Sequence, residues 1–530
     1  MQEITKTKNQ RPKTNRLIWI FLAMAAVALY FFGLSIPLVG PDEPRYAQVA
    51  REMFERGDWV TPTLGGANWF EKPALLYWLQ IVGYKIFGVS EFSARIGSAV
   101  FGLFTVFSLW ILGRSLATEA TVKNREVEHK RTFSENFTFS TKNDFANWLA
   151  LTAASSIGLI VFSRGASFDI ILTFPLTASL VAFFISDQSK EKSFSTYYLP
   201  LITFYFFIGI ALLAKGLVGI IFPFAIVAFY YVLSLKLPSK TFIISLVWGT
   251  ILSLLVASVW YVPMYFAHGF TFVDEFFIQH HFARYTSNKY AHPQPFYFFL
   301  WVLPLMTLPW LPFFFAAIWD FIKVQNSKFK VQSNALRLRG STAPLLLFSL
   351  SWLLVPLMFF SFSGSKLPGY ILPALPAALI LTAIYVCSFV QNSYKRKLFV
   401  QILALVIFAL VWLTLQFFIG SYTNSETVKH LMETANSQSF TDEKVLNLHT
   451  ISHNAEFYAA GRLIRNTDGK LKKFLGVYEV LEEIKHQNGK DVLVLVPLEY
   501  LKELTDSDLV SAQVLSDNGE LVIVLVNRKN

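Results

Sequence analysis

Charge is scarce in this 530-residue chain: Asp, Glu, Lys and Arg together make up 15% of it, against about 25% in an ordinary soluble protein. Cysteine is almost missing, and the single Cys387 excludes a disulfide framework and any thiolate metal cluster. No Gly-rich phosphate loop is present, so nothing points to a nucleotide cofactor. Internal repeats and low-complexity tracts are not evident either. What fills the chain instead is apolar. Hydrophobic residues reach 54%, aromatics 16% with 53 phenylalanines, and the mean hydropathy is +0.45. These figures exclude disorder and collagen-like repeats and indicate a polytopic membrane protein. In a soluble chain a net charge of +11 would suggest nucleic acid. Here its distribution has to be followed first.

A bilayer core needs about 20 apolar residues per helix. Eleven uncharged or nearly uncharged runs meet that need, at 17–39, 96–113, 147–163, 170–186, 197–214, 216–235, 241–267, 295–319, 343–363, 369–390 and 398–420. The first lacks a small-x-small cleavage pattern before Gly40 and reads as a retained anchor. The stretch 74–88 is short, broken by Gln80 and Lys85, and rich in interfacial aromatics. It reads as an amphipathic helix lying on the membrane. With that choice the inside segments hold 23 Lys/Arg and the outside segments of the membrane part hold 11. Letting 74–88 span would invert everything after it and destroy the bias, so the positive-inside rule selects the first topology. Residues 40–95, Arg164 to Asp169, Lys215, a loop at 264–294 and Ser363 to Tyr370 then all emerge on the outer face.

The last 110 residues differ in kind, with 12 Lys/Arg and 16 Asp/Glu. The apolar runs at Val492–Val496 and Leu521–Val526 read as strands, and Val477–His486 as a helix. Residues 421–530 are therefore expected to form a small extramembrane α/β domain. It carries net −4, while 1–420 carry +15.

Chemistry gathers on the outer face. Pro41-Asp42-Glu43-Pro44-Arg45-Tyr46 leaves two adjacent carboxylates at a proline-marked helix end, followed by an amphipathic helix that stops at Gly57. Phe70-Glu71-Lys72-Pro73 adds a carboxylate and a lysine, and Arg164-Gly165-Ala166-Ser167-Phe168-Asp169 an arginine and an aspartate. Lys215 interrupts nearly forty apolar residues, and Ser363-Gly364-Ser365-Lys366-Leu367-Pro368-Gly369-Tyr370 forms a tight turn between two spans. Each has an ordinary explanation as a cap or a snorkelling side chain; ionisable groups at membrane mouths are nonetheless functional candidates. Four of nine histidines fall in 264–294, but without a His-x-x-x-His or Glu-x-x-His motif they read as surface residues. Taken together, cations suited to a phosphate headgroup, carboxylates suited to deprotonating a nucleophile and aromatics suited to sugar faces describe a site for a lipid-linked phosphosugar.

The motifs Pro41–Tyr46, Gly57-Asp58-Trp59-Val60-Thr61-Pro62, Phe70–Trp78 and Ser365–Pro373 resemble those of the aminoarabinose-to-lipid A transferases. These belong to the protein O-mannosyltransferase-like superfamily of GT-C-fold glycosyltransferases. The resemblance covers about 1–420. It implies a GT-C-like polytopic helical protein with about 11–13 transmembrane helices, in a bacterial inner membrane, acting on the extracytoplasmic face. It also implies a polyprenyl (undecaprenyl) phosphate-sugar donor. By the same resemblance Asp42 is the catalytic aspartate of the first loop, with Glu43 beside it, and Asp169 the second acidic residue. Lys72 and Arg284 would hold the donor phosphate, Lys366 and Tyr370 close over its headgroup, and Lys215 belong to a further family motif. A divalent metal ion is implied at Glu71, with His281 as the loop histidine.

The acceptor stays open between lipid A, another glycan and protein Ser/Thr. From a different class, a transporter or flippase of lipid-linked anions would place its charges near the bilayer midplane and show repeats. Here the charges sit at one face and no repeat is visible.

Overall fold

The computed structural model describes residues 14–120, 144–282, 294–329, 343–391, 393–467 and 469–529. Helix is the natural state of uncharged sequence in a bilayer, because every backbone group must be satisfied within the segment. Among the described residues seven helices are long and apolar enough to cross a membrane: Glu91–Leu116, Phe168–Gln188, Phe194–Lys215, Lys240–Gln279, Ala343–Ser361, Pro368–Val390 and Tyr394–Ile419. Counted as one span, the pair Phe298–Met306 and Leu311–Lys323, bent by 117°, makes an eighth. Three more of the eleven runs become shorter helices, at Arg16–Phe31, Phe145–Ala154 and Val218–Ser234. The protein is a multi-pass membrane protein.

In chain order the membrane part comprises α1 (Thr14–Phe31), α2 (Asp42–Arg56), the hairpin β1 (Thr63–Leu64) and β2 (Ala67–Asn68), α3 (Leu75–Phe87) and α4 (Glu91–Ala120). Next come α5 (Asp144–Ala154), α6 (Ile157–Phe162), α7 (Phe168–Gln188), α8 (Leu199–Lys215), α9 (Val218–Ser234) and α10 (Lys240–Val273). The set ends with α11 (Phe298–Met306), α12 (Leu311–Phe329), α13 (Ala343–Ser361), α14 (Leu375–Val390) and α15 (Tyr394–Thr414). Thirteen residues make α3 about 20 Å long, well short of a bilayer core. It packs against α2 and α4 instead.

Local chemistry sets the boundaries that matter for the site. Asp42 and Glu43 occupy the first turn of α2, where the helix dipole favours anions. Gly57 ends α2 in the left-handed conformation, its N–H turned back to the carbonyls of Met53 and Phe54. Lys215 closes α8, and Gly216 (φ 66°, ψ −141°) breaks the long apolar stretch there. Over 264–282 the structure differs from the loop expected at 264–294, of which 283–293 lie outside the described residues. Helix α10 runs on to Val273 through a kink at Gly269, and wider helical turns continue to Phe282. Phe272 and Phe276 pack with Trp260, Met264 and Phe70, and this aromatic packing outweighs the polar residues that suggested a loop.

The C-terminal part contains α16 (Lys429–Ser437), β3 (Val445–Leu448), α17 (Ala455–Tyr458), β4 (Lys473–Phe474), α18 (Val477–His486), β5 (Val492–Pro497), β6 (Val510–Asp517) and β7 (Leu521–Arg528). They form a five-stranded sheet of order β4-β3-β5-β7-β6. Strand β3 runs parallel to β4 and β5, whereas β7 is antiparallel to β5 and β6. Leu431 and Met432 of α16 cover one face and Val480 and Ile484 of α18 the other. That double cover is why β5 reads as an unbroken apolar run.

This C-terminal part is docked onto α2 and the segments that flank it. Phe457 of α17 belongs to the same buried cluster as Tyr46, Ala47 and Ala50 of α2, an insertion that contributes roughly 1.5–3 kcal/mol. The Tyr458 hydroxyl accepts from the Leu38 backbone N–H at 2.8 Å and donates to Glu91 at 3.2 Å. Lys429 pairs with the same Glu91 at 2.7 Å.

Candidate active site

Side chains from five separate stretches of the chain converge on one cavity of about 220 Å³. Its lining includes seven residues singled out from the sequence: Asp42 and Glu43 from α2, Glu71 and Lys72 from the loop before α3, Asp169 from the start of α7, Lys215 from the end of α8, and Tyr370. Phe359, Phe360 and Val218 give the cavity an apolar side.

Two electrostatic units organise it. In the first, Lys215 is ion-paired with Asp169, and its ammonium also lies 5.0 Å from the centre of the Tyr370 ring. Asp169 is held in turn by the Ser167 hydroxyl, which donates to it at 3.3 Å and receives its backbone N–H. A Cβ on Gly369 would overlap the Asp169 carboxylate, so the turn that carries Tyr370 presses directly on that group. Both members of the pair are 16% exposed at the side chain.

The second unit is centred on Glu43. Its oxygens accept from Arg95 Nε (3.0 Å) and Nη2 (2.7 Å), from the Val39 N–H (3.2 Å) and from the Ala166 N–H (2.6 Å). Arg95 also donates to the carbonyls of Leu34, Ile36 and Pro37. Glu43 therefore ties the start of α2 to the turn that precedes Asp169. Its neighbour Asp42 is different: its side chain is 52% exposed, with Arg45 at 3.6 Å. Of two adjacent carboxylates, one is fully engaged in structure and one is open to the cavity.

Lys366 does not line the cavity. It is 7% exposed, and its ammonium donates to the carbonyls of Ser363 (2.7 Å) and Gln294 (3.0 Å), bracing the turn from within. Arg284 and the side chain of His281 lie outside the described residues. Among the described residues no group of three or more His, Cys, Asp or Glu could hold a metal ion. Glu71 has no such companions among the described residues, and His281, the other ligand expected for it, has its side chain outside them.

Two residues of this region escape sequence reasoning. Arg95 sits immediately before the apolar run 96–113, and that position is the one clue it leaves. His453, between β3 and α17, is exposed. Its imidazole is held below its ordinary value by partial burial and then by the charge of Arg45, with Asp42 opposing. A residue more than 400 positions away thus feels the charge of the first-loop aspartate.

Comparison with known proteins bears on the fold and the relatives of the chain. Residues 17–122 match the sequence profile of the family Dolichyl-phosphate-mannose-protein mannosyltransferase. The undecaprenyl phosphate-alpha-4-amino-4-deoxy-L-arabinose arabinosyl transferase of Yersinia enterocolitica is 30% identical over 389 residues, 71% of this chain. The match spans 60% of that relative's own length. The crystal structure of ArnT from Cupriavidus metallidurans bound to undecaprenyl phosphate superposes with a TM-score of 0.73 at 21% identity, covering 97% of this chain and 98% of that one. The oligosaccharyltransferase of Archaeoglobus fulgidus, at 13% identity, gives 0.55 over 93% of this chain and 71% of its own. The fold is of the GT-C type, and the chain resembles the aminoarabinose transferases.

Proposed function

We propose that the protein is an integral-membrane glycosyltransferase. It moves a sugar from an undecaprenyl (polyprenyl) phosphate donor to a lipid A-like or other cell-envelope acceptor on the outer face of a bacterial inner membrane. The observation that carries this is one cavity at the helix ends, lined by the open carboxylate of Asp42, by Glu71 and Lys72, and by the Lys215–Asp169–Tyr370 unit beside an apolar wall. The names of the relatives support the undecaprenyl phosphate-linked donor.

The chemistry is a displacement at the anomeric carbon. The acceptor oxygen forms the new bond to that carbon as the bond to the phosphate oxygen breaks. Asp42 orients the acceptor and takes its proton where the nucleophile is a hydroxyl. Lys72 stabilises the negative charge on the departing phosphate, a role that the family resemblance also gives to Arg284. Lys215 is kept at the cavity by Asp169 and Tyr370, and adds a second fixed positive charge. Glu43 acts by position: it holds Asp42 and Asp169 in register without offering a free lone pair. Lys366 acts likewise by fixing the turn that carries Tyr370.

The test is transfer from undecaprenyl-phosphate aminoarabinose to lipid A in proteoliposomes. Asp42→Asn should lower turnover by about 10²–10⁴-fold, the usual contribution of a positioned base, while undecaprenyl phosphate still binds. Unchanged turnover in that variant would remove Asp42 from the chemistry.

A further inference from the structure

The hairpin between α2 and the Glu71–Lys72 pair has little of its own to hold it. Its strands are two residues each, β1 antiparallel to β2, and a hairpin of that size is not stable alone. Gly65 and Gly66 form its turn with φ of 62° and 78°, the left-handed conformation that a two-residue turn favours. Side chains from two parts of the chain grip that turn.

On one side stands Glu52 of α2, 12% exposed at the side chain. Its carboxylate accepts from the Gly65 N–H (2.6 Å), the Gly66 N–H (3.2 Å) and the Thr63 hydroxyl (2.7 Å). On the other side stands Arg465 of the C-terminal part. Its side chain lies across Gly65, where a Cβ would overlap its Nε, Cδ and Cζ. The guanidinium is held by an ion pair with Glu456 of α17, the helix that packs on α2, and by donating to the Gly469 carbonyl at 3.0 Å. A Cβ on Gly469 would stand 3.4 Å from that of Ala67 in β2, so the same loop also meets the second strand. The hairpin is thus wedged between α2 and the C-terminal part.

The donor site lies just downstream. The Trp69 N–H donates to the Pro62 carbonyl at 2.9 Å and carries the pairing one step past β2. Glu71 and Lys72, which line the cavity, are the second and third residues after Trp69. Pro73 disfavours helical backbone at Lys72, which leaves that residue little freedom to take up slack. Phe70, its ring 5.7 Å from that of Phe272, is a second anchor of the same stretch.

We propose that Arg465 is a positioning residue for the donor site: by pressing on Gly65 it sets the hairpin, and through it the placement of Lys72 against the donor phosphate. The proposal rests on the transferase reading above. It gives the C-terminal part a role in donor binding, although none of its described residues lines the cavity.

The test is a double-mutant cycle on undecaprenyl phosphate binding by the full-length protein in nanodiscs, read by native mass spectrometry. Lys72→Ala should bind about tenfold or more weakly, the loss of a hydrogen bond to a charged group. With Phe70 still in place, Arg465→Ala should bind about three- to tenfold more weakly, and Lys72→Ala/Arg465→Ala no more weakly than Lys72→Ala alone, because one residue acts through the other. Arg465→Ala strands the buried carboxylate of Glu456. Glu456→Gln/Arg465→Ala, which removes both charges, is therefore measured beside it and should show the same loss. Wild-type affinity in either of these variants overturns the proposal. So does a loss that adds in full to that of Lys72→Ala, the mark of a merely structural effect. A Lys72→Ala protein that binds as the wild type does removes Lys72 from the donor site and this proposal with it. Failure of the wild type to bind undecaprenyl phosphate at all removes the transferase reading itself.

Discussion

Replacing Glu43 with glutamine isolates structure from chemistry at two adjacent carboxylates. Glu43 and Arg95 are 13% and 6% exposed at the side chain and share two hydrogen bonds, of 2.7 and 3.0 Å. Glutamine keeps one oxygen acceptor but turns an amide group toward donors, and the Arg95 charge is left to the carbonyls of Leu34, Ile36 and Pro37. Removing one partner of a buried pair costs about 3–5 kcal/mol. With three carbonyls still in place, the lower figure of about 3 kcal/mol applies. Asp42→Asn touches a half-exposed contact of 3.6 Å, worth about 0–1 kcal/mol. The measurement is the half-life of thermal inactivation in detergent, followed by retained undecaprenyl phosphate binding. If the whole 3 kcal/mol falls on the unfolding barrier, Glu43→Gln shortens the half-life by roughly a hundredfold, whereas Asp42→Asn stays within a few-fold of the wild type. The double variant Glu43→Gln/Arg95→Met should recover part of the loss, less the cost of the three orphaned carbonyls. A Glu43→Gln protein as long-lived as the wild type, or an Asp42→Asn protein that decays equally fast, would refute the division of labour between the two residues.

Two further outcomes are expected. Gly369→Ala forces a methyl group onto the Asp169 carboxylate; turnover should fall at least about tenfold through the displaced Lys215 pair, with the inactivation half-life little changed, and normal turnover would show that the turn yields freely. His453 has a folded-state value below its usual 6.5, so its stability contribution is present above about pH 6.5 and lost as pH falls through 6.5 toward that lower value. The difference in stability between wild type and His453→Gln should therefore change only on the acid side, and a difference independent of pH would contradict it.

Much of the membrane part is legible in hydropathy alone. All eleven apolar runs appear as helices, because length and lack of charge are local properties that a bilayer reads directly. Local signals also place α2, the break after Lys215 and the helix at Val477–His486. What hydropathy does not carry is which helix ends meet. Asp42, Lys72, Asp169, Lys215 and Tyr370 lie in separate stretches of sequence, and their convergence is a product of packing. Glu43 looks like a twin of Asp42 in sequence. Only Arg95, 52 positions away, makes it a fixed strut. Lys366 reads as an outward cation, yet the tight turn closes back on its ammonium. Strands β3 and β6 lack a strong alternating or continuous apolar run, so β pairing rather than pattern defines them. The approach of His453 to the first loop depends on a docked domain and leaves no mark in the local sequence.

The hydrogen bond between Leu38 and Tyr458 spans 420 positions. It fixes the residues just before Asp42 with a side chain made near the end of synthesis. Contacts of such separation form late, after the long loop between them has been closed. The cavity-lining residues run no further than Tyr370, so they are synthesised before Tyr458, but the stretch just before Asp42 gains this hydrogen bond only once the C-terminal part has folded. A chain that stops short of Tyr458 would thus lack the restraint that the finished C-terminal part places on the approach to Asp42.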